Sequence, residues 1–202
     1  GAWTIFFFFK LQQQNDKKCK YLLSIFVGLW LALSIFFTFD QVFIGFFMMV
    51  TILLYLKENK SLTNIYSGIL IFIGFICFYL FLYILLGFNV FEIYKKAYGF
   101  YKIDVAEMIS IYGKKTSSSW YWFFGNPIAF FLMIGIPITI LYFREIKYNI
   151  LAMINNKKTD KFVVASIITL IAVNYPGLYK GEVERIWMFI NPLVVIGAAS
   201  YI

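Results

Sequence analysis

The stretch from residue 21 to residue 56, YLLSIFVGLWLALSIFFTFDQVFIGFFMMVTILLYL, contains a single charged side chain, that of Asp40. An α-helix needs about 20 apolar residues to cross the hydrocarbon core of a bilayer, with a range of about 17–25. Residues 21–39 meet this requirement, and residues 41–56 fall slightly short of it. The sequence therefore predicts two membrane spans that are joined at Asp40.

The composition of the chain also indicates a membrane protein. The 202 residues are 62% hydrophobic and 22% aromatic but only 14% charged, whereas soluble domains are nearer half apolar and a quarter charged. A soluble core of this size has no room for 25 Phe and 15 Tyr, so many of these rings must face lipid. The net charge of +8 comes largely from lysines between the apolar runs. We assign them to basic loops beside anionic lipid and expect no nucleic-acid partner.

Four further apolar runs complete the predicted fold. These runs cover residues 65–88, 120–143, 162–178 and 186–202, and Pro127 and Pro137 predict kinks in the second of them. The sequence thus predicts an all-α, polytopic transmembrane helix bundle of about six spans, forming a single domain over residues 1–202. The first run, AWTIFFFF, is too short to cross a membrane, and we expect the chain to be the C-terminal part of a longer protein.

The distribution of lysine and arginine predicts the orientation of this bundle. Alternating spans place residues 10–20, 57–64 and 144–161 on one side, and these loops carry more Lys and Arg than the loops opposite. Basic loops favour the cytoplasmic side. The Asp40 turn, residues 89–119 and residues 179–185 are then predicted to be extracytoplasmic.

The extracytoplasmic loop 89–119 is predicted to contain an amphipathic helix. Phe91, Tyr94 and Tyr98 recur there at helical spacing, opposite Lys95 and Lys96. Such a helix can lie in the plane of the lipid headgroups. Two interpretations are open, namely a platform that guides a lipid-borne substrate into a cleft and an ordinary interfacial link between two spans.

A cluster of ionisable residues interrupts the apolar sequence near its end, in NYPGLYKGEVERIWMFINP (residues 174–192). Glu182 and Glu184 lie in the first turn of the predicted last helix, where carboxylates are stabilised by the helix dipole. Glu182 and Arg185 are three residues apart and can pair, which gives the cluster a structural interpretation. A functional interpretation is also open, because Arg185 meets the membrane boundary with Lys180 nearby. Arginine binds phosphate in a bidentate manner.

Other polar residues also have two interpretations. Asp40 is either a solvated residue of a tight turn or an acid that faces substrate. Asn126-Pro127 and Asn191-Pro192 are each predicted to lie several residues into an apolar helix. Proline frees a backbone carbonyl there, and asparagine can bond to it or to a neighbouring helix. Helix packing and sugar binding both fit these amides.

Metal and redox chemistry find no support in the sequence. The chain has no histidine, which excludes imidazole bases and histidine metal ligands from these residues. The sequence identifies no cofactor and does not support a divalent cation. Cys19 lies in a basic loop and Cys77 in an apolar run, so we expect neither a disulfide nor a thiolate site.

Two segments together, GLYKGEVERIWMFINP and SSSWYWFFGNPIAFFLMIGIP, resemble the C-terminal half of multi-pass glycosyltransferases of the GT-C superfamily. The hairpin FFTFDQVFIGFFMM and the platform GFNVFEIYKKAYGF fit the same pattern. The resemblance implies transfer of a sugar from a polyprenyl-phosphate donor on the extracytoplasmic face. It also implies that the main catalytic acid precedes Gly1, that Arg185 contacts the donor phosphate, and that Glu182 orients it.

The residues that could contribute to such a reaction in this chain are few. Sugar transfer with inversion needs a base for the acceptor hydroxyl and stabilisation of the departing phosphate. Arg185 and Lys180 could supply the second, while Asp40, Glu182 and Glu184 are the candidates for the first. The alternative from another class is a non-enzymatic hydrophobic subunit of a larger membrane complex. A transporter is a third possibility, but it would require charged residues nearer the midplane of the spans. The predicted spans carry charged residues only at their ends.

Overall fold

The computed structural model describes residues 1–58, 62–112, 119–155, 157–174 and 187–199, and within these ranges its regular structure is all helical, with no strand. The described α-helices are α1 (Ala2–Gln13), α2 (Lys17–Phe37), α3 (Val42–Glu58), α4 (Leu62–Leu86), α5 (Val90–Tyr112), α6 (Ser119–Ile134), α7 (Ile136–Ile154), α8 (Lys161–Asn174) and α9 (Asn191–Ala199). Two 3₁₀ turns accompany them, the Asp40 turn (Phe39–Gln41) and the Trp187 turn (Trp187–Ile190). The all-α prediction is confirmed.

Three of the described helical segments are long and apolar enough to cross a membrane. They are α2, the segment Phe39–Glu58 that contains α3, and α4. A fourth crossing is obtained if α6 and α7 together form one broken span. The first three match the predicted spans to within a few residues, because each is an uninterrupted apolar run. The predicted count of about six is not confirmed, since α8 has 14 residues and α9 has 9, both shorter than a spanning helix.

The structure contains two helices where the sequence predicted one kinked helix over residues 120–143. Helices α6 and α7 meet at Gly135, where the chain bends by 118°. Gly135 has φ +100, a conformation that only glycine adopts without strain. Pro137 lies in the first turn of α7, where a missing N–H costs nothing. Helix α7 then continues to Ile154, so residues 144–154 are helical and do not form the predicted loop.

Helices α2 and α4 pack against each other through two glycines. A methyl group added at Gly28 would overlap the carbonyl oxygen of Ile71, and one added at Gly74 would lie 2.5 Å from the carbonyl oxygen of Ile25. Each glycine therefore contacts the backbone three residues before the other glycine. Small residues allow this approach in membranes, where packing and not water drives helix association. The α2–α4 pair is the most extensive helix contact among the described elements.

The connections between the described helices gather at two ends of the bundle. At one end, Lys20 donates from Nζ to Oδ1 of Asn64 at 3.0 Å, and Lys161 forms an ion pair with Glu58. These residues belong to the three predicted basic loops, and we call this the lysine-rich end. At the other end, which we call the Asp40 end, the Asp40 turn contacts the Trp187 turn. The predicted sidedness of these loops in a membrane stays a prediction.

The helix predicted within residues 89–119 is present as α5. It begins at the Asp40 end, where the ring of Tyr94 lies 6.1 Å from that of Phe39. Phe91 and Tyr98 are exposed on α5, as are Lys95 and Lys96. The helix thus combines exposed aromatic rings with exposed lysines, which is the composition of a helix that lies at a membrane surface.

The glycine contact predicts a large effect of small substitutions. Gly28→Ala and Gly74→Ala should each destabilise the protein by about 1–3 kcal/mol, because a methyl group forces the α2 and α4 backbones apart. Thermal unfolding of the purified protein in detergent, followed by size-exclusion chromatography, measures the change. Gly125→Ala is the matched control, because a methyl group at Gly125 meets open space. Equal stability of all three variants would contradict the contact.

Candidate functional site

Some of the residues that the sequence analysis selected lie in the described part of the chain, and others lie outside it. Asp40 is half-buried in the Asp40 turn. The four residues of the charged cluster, Lys180, Glu182, Glu184 and Arg185, lie outside the described residues. Asn174 and Trp187, which bound the described chain on either side of that cluster, are both described, and the Trp187 turn contacts the Asp40 turn. The structure therefore places Asp40 at the same end of the bundle as Trp187 and Asn174, the described residues that flank this cluster in the sequence.

Asn174 joins the end of α8 to α6 through a specific hydrogen bond. Pro127 lies inside α6 and has no N–H, so it cannot donate to the carbonyl oxygen of Phe123, four residues earlier. The side chain of Asn174 donates from Nδ2 to this oxygen at 2.8 Å. A backbone acceptor that proline leaves free is thus satisfied by an amide from another helix. This is the role that the sequence analysis considered for an asparagine, but the asparagine that fills it is Asn174.

Thr139 replaces a second missing backbone bond at the junction of α6 and α7. The N–H of Gly135 donates to the carbonyl oxygen of Leu132 at 3.2 Å, which leaves the carbonyl oxygen of Phe131 without the usual backbone donor. Thr139 donates from Oγ1 to that oxygen at 2.8 Å and also lies 3.0 Å from the carbonyl oxygen of Gly135. The bend is therefore held by a side chain as well as by the glycine.

The Trp187 turn packs its aromatic side chains into the bundle. Trp187 is only 1% exposed, and its ring lies 5.3 Å from that of Phe130 on α6. The ring of Phe189 stacks on that of Phe43, at the start of α3, with 6.1 Å between centroids. The turn is thus fixed between α6 and α3, directly beside the Asp40 turn.

Several buried polar atoms at this end have no hydrogen-bond partner among the described residues. They are Oε1 of Gln41, Oδ1 of Asn174, Nε1 of Trp187 and Oδ1 of Asn191. Each unsatisfied buried group costs about 1–3 kcal/mol, and such groups in native proteins need an explanation, for instance a functional role or a bound molecule.

The second Asn-Pro pair lies at the junction of the Trp187 turn and α9, since Asn191 begins α9 and Pro192 is its second residue. The turn and α9 form one short apolar helical segment, Trp187–Ala199, and the pair lies four residues into it. The first pair also fits its prediction, because Asn126 is buried and Pro127 lies within α6.

Several buried polar groups elsewhere in the described chain have partners that explain them. Tyr142 and Ser166 share a hydrogen bond of 2.7 Å between α7 and α8. Asn149 accepts from the backbone N–H of Asp160 at 2.7 Å and donates to the carbonyl oxygen of Glu145 at 3.0 Å. These bonds connect helices, and they explain the polar residues without a ligand. In the described ranges, no group of three or more His, Cys, Asp or Glu side chains could hold a metal ion.

A comparison with known proteins finds no matching family model, no matching curated protein and no matching solved structure. The resemblance to GT-C glycosyltransferases thus stays a prediction that depends on the quoted motifs. The geometry of the Asp40 end is the remaining guide to function.

The sequence analysis did not select Gln41, Asn174 or Trp187. A signal for Asn174 exists, since it is the first amide after the apolar run FVVASIITLIAV and stands directly before the charged segment. Its bonding partner could not be read from the sequence, because Phe123 is 51 residues away. Gln41 is unremarkable in sequence, and Trp187 appears there only as part of the quoted segment GLYKGEVERIWMFINP. The burial of Trp187 and of Oε1 of Gln41 could be recognised only in the structure.

The bond between Asn174 and Phe123 predicts coupling between Asn174 and Pro127. Asn174→Leu should cost about 1–3 kcal/mol, because it leaves the Phe123 carbonyl without a donor. In a Pro127→Ala background, the new backbone N–H of residue 127 can donate to that carbonyl, so the same substitution should cost clearly less. A double-mutant cycle on thermal unfolding measures the coupling energy. Equal costs of Asn174→Leu in both backgrounds would contradict this role of Asn174.

Proposed function

We propose that this chain is the membrane-embedded part of a glycosyltransferase that moves a sugar from a polyprenyl-phosphate donor on the extracytoplasmic face. In this proposal the protein is multi-pass, its lysine-rich end faces the cytoplasm, and its Asp40 end faces outward. One observation carries the proposal, namely the contact between the Asp40 turn and the Trp187 turn. This contact places an acidic residue at the same end as the residues that flank the charged cluster.

The proposed roles of the residues follow from the chemistry of sugar transfer. Departure of a lipid phosphate develops negative charge, which positive groups stabilise. Arg185 and Lys180 would supply that charge, and Glu182 would orient the phosphate through Arg185. The acceptor hydroxyl needs a base, for which Asp40 and Glu184 are the candidates in this chain.

The polar groups of the Asp40 end support a site for a polar substrate. In the described chain, buried polar atoms without a partner lie at this end. At the lysine-rich end, in contrast, Lys20 donates to Asn64 and Lys161 pairs with Glu58. Unsatisfied polar groups are costly in an apolar environment. Their collection at one end favours function there over a purely structural role.

The proposed roles of Arg185 and Glu182 can be tested together in cells. Arg185→Ala should reduce formation of the glycolipid or glycan product by about 10–100-fold, because charge-assisted hydrogen bonds to phosphate contribute about 1.5–3 kcal/mol. Glu182→Gln should reduce it less. Profiling of cellular glycans and glycolipids by mass spectrometry measures the product. The control is Arg144→Ala, which removes the other arginine of the chain.

Protein levels must be measured in parallel for these variants. Normal product in Arg185→Ala and Glu182→Gln cells that still accumulate the protein would overturn the proposed roles.

The orientation predicts which cysteines react with a membrane-impermeant maleimide in intact cells. Cys19 is exposed near the lysine-rich end and Thr38 is exposed beside the Asp40 turn. In a Cys77→Ser background, Cys19 should stay unlabelled until the membrane is opened. A Thr38→Cys substitution in a Cys19→Ser, Cys77→Ser protein should be labelled at once. The reverse pattern would show that the orientation is inverted.

A second candidate function is that of a non-enzymatic subunit of a membrane complex. The observation that favours it is the exposure of α4. Only 11% of the apolar 18-residue segment of this helix is buried within the protein. This face contacts either lipid or another protein. Isolation in a mild detergent distinguishes the two functions, since a subunit co-purifies at fixed stoichiometry with larger partners and shows no transfer activity without them.

A further inference from the structure

We propose that α6 does not cross the membrane but lies across the Asp40 end of the bundle, with the row Phe124, Ile128 and Leu132 against the acyl chains of the leaflet on that side. Helix α7 alone then carries the chain towards the lysine-rich end. The inference goes beyond the proposed function and does not depend on it. Two geometric observations carry it, the register between α7 and α8 and the bend between α6 and α7.

The hydrogen bonds between α7 and α8 fix the level at which α7 begins. Tyr142 lies opposite Ser166, with 2.7 Å between the two hydroxyl oxygens, and Asn149 accepts from the N–H of Asp160 at 2.7 Å. The two helices are therefore antiparallel, and a step along α7 is matched by a reverse step of nearly equal length along α8. Continued in the other direction, this register places the start of α7 level with the last turn of α8.

Both ends of α6 lie at this level. At its beginning, the carbonyl oxygen of Phe123 accepts from Nδ2 of Asn174, the last residue of α8, at 2.8 Å. At its end, α6 joins the start of α7 through Gly135. The segment Phe123–Ile134 of α6 is about 18 Å long, and in a spanning helix most of this length would separate the two ends along the bundle axis. These contacts leave no such separation, so α6 runs across the bundle.

The angle between α6 and α7 leads to the same result without the register. The direction of the chain changes at Gly135 by 118°, which is 28° more than a right angle. Along the axis of α7, a helix of about 18 Å with this inclination changes level by only about 8 Å, whereas the hydrocarbon core is about 30 Å thick. Because the angle exceeds a right angle, α6 adds nothing to the crossing that α7 makes.

The contacts of α6 place it at the Asp40 end. The ring of Phe130 lies 5.3 Å from that of Trp187, and the Trp187 turn contacts the Asp40 turn. Helix α8 begins at the lysine-rich end, where Lys161 pairs with Glu58. Its last turn, at the level of α6, is therefore its far end.

The exposed side of α6 shows which part of the bilayer it contacts. Phe124, Ile128 and Leu132 are 62%, 61% and 65% exposed, and their spacing of four residues places them in one row. Phe130, on the opposite side of the helix, is buried against the bundle. Helix α6 contains no charged residue, so the row has no ionic group with which to face water or headgroups. Acyl chains are the partner that fits it.

Helix α7 is long enough to make the crossing without α6. It has 19 residues, within the range of about 17–25 for a spanning helix. Its basic residues Arg144 and Lys147 lie between Tyr142 and Asn149, in the part of α7 that packs beside the first half of α8. Long basic side chains at this position reach the headgroups at the lysine-rich end, and Glu145 is buried within the protein.

Depth measurements along the row test this placement. Phe124→Cys, Ile128→Cys and Leu132→Cys are made one at a time in a Cys19→Ser, Cys77→Ser protein, labelled with a nitroxide and reconstituted into vesicles of phosphatidylcholine and phosphatidylglycerol. Collision rates of the nitroxide with oxygen and with nickel ethylenediaminediacetate measure its depth. We expect all three labels to favour oxygen and their depths to differ by no more than about 6 Å.

The matched control is a row of the same spacing on α4. Cys77, Phe81 and Leu85 are exposed on the half of α4 nearer the Asp40 end, and α4 is long and apolar enough to cross a membrane. Labels at Cys77, Phe81→Cys and Leu85→Cys should change in depth by about 12 Å from the first to the last, because eight residues of a helix along the membrane normal span that distance.

A distance measurement tests the bend itself. Phe124→Cys and Ile154→Cys place two nitroxides at exposed positions, one on α6 and one at the end of α7. With a bend of 118°, these backbone positions are about 25 Å apart, whereas one straight span would separate them by about 45 Å. Double electron–electron resonance distinguishes the two values, and we expect the shorter one.

Each other outcome overturns the inference. A change of depth along α6 as steep as that along α4 would show that α6 crosses the membrane. Labels that favour the nickel complex would show that the row faces water, and labels that neither reagent reaches would show that another protein covers it. A distance near 45 Å would remove the bend on which the placement depends.

Discussion

Every backbone carbonyl buried among apolar side chains needs a donor, and this requirement determines how the second half of the chain is built. Pro127 removes one donor from α6, and Asn174 replaces it from α8. The bend at Gly135 removes another, and Thr139 replaces it from α7. Asn174 and Thr139 therefore join α8 and α7 to α6 through acceptors that Pro127 and the bend at Gly135 leave free. In the first half, unbroken helices satisfy their own backbones, and close packing at Gly28 and Gly74 joins α2 to α4.

The sequence predicted the unbroken helices well and the interrupted ones poorly, for one physical reason. Hydropathy measures the length of an apolar run, and length is sufficient for α2, α3 and α4, where nothing interrupts the run. It does not detect the positive φ of Gly135 or the start of α9 at Asn191. Residues 120–143, which were predicted to form one kinked span, therefore belong to two helices that meet at a sharp bend. Asp40 could be selected from the sequence because it is the only charged residue in a long apolar stretch. The role of Asn174 could not be recognised in this way, because it depends on a contact between distant parts of the chain.

The two ends of the bundle differ in how completely their polar groups are satisfied. At the lysine-rich end, ionic and amide groups bond to one another, as Lys161 does with Glu58 and Lys20 with Asn64. At the Asp40 end, Asn174, Trp187 and their neighbours keep buried atoms without partners in the described chain. Complete satisfaction is what stability favours, so this difference between the ends is the observation that supports the proposed site at the Asp40 end.

The lengths of the helices have a consequence for biosynthesis. Helices α2 and α3 are separated only by the Asp40 turn, so they are suited to leave the translocation channel together as a hairpin. Helix α4 then closes on α2 through the two glycines. Among the described elements, α8 packs mainly on α3 and α9 mainly on α7. Both of these late, short helices are therefore positioned by helices that the ribosome has already synthesised.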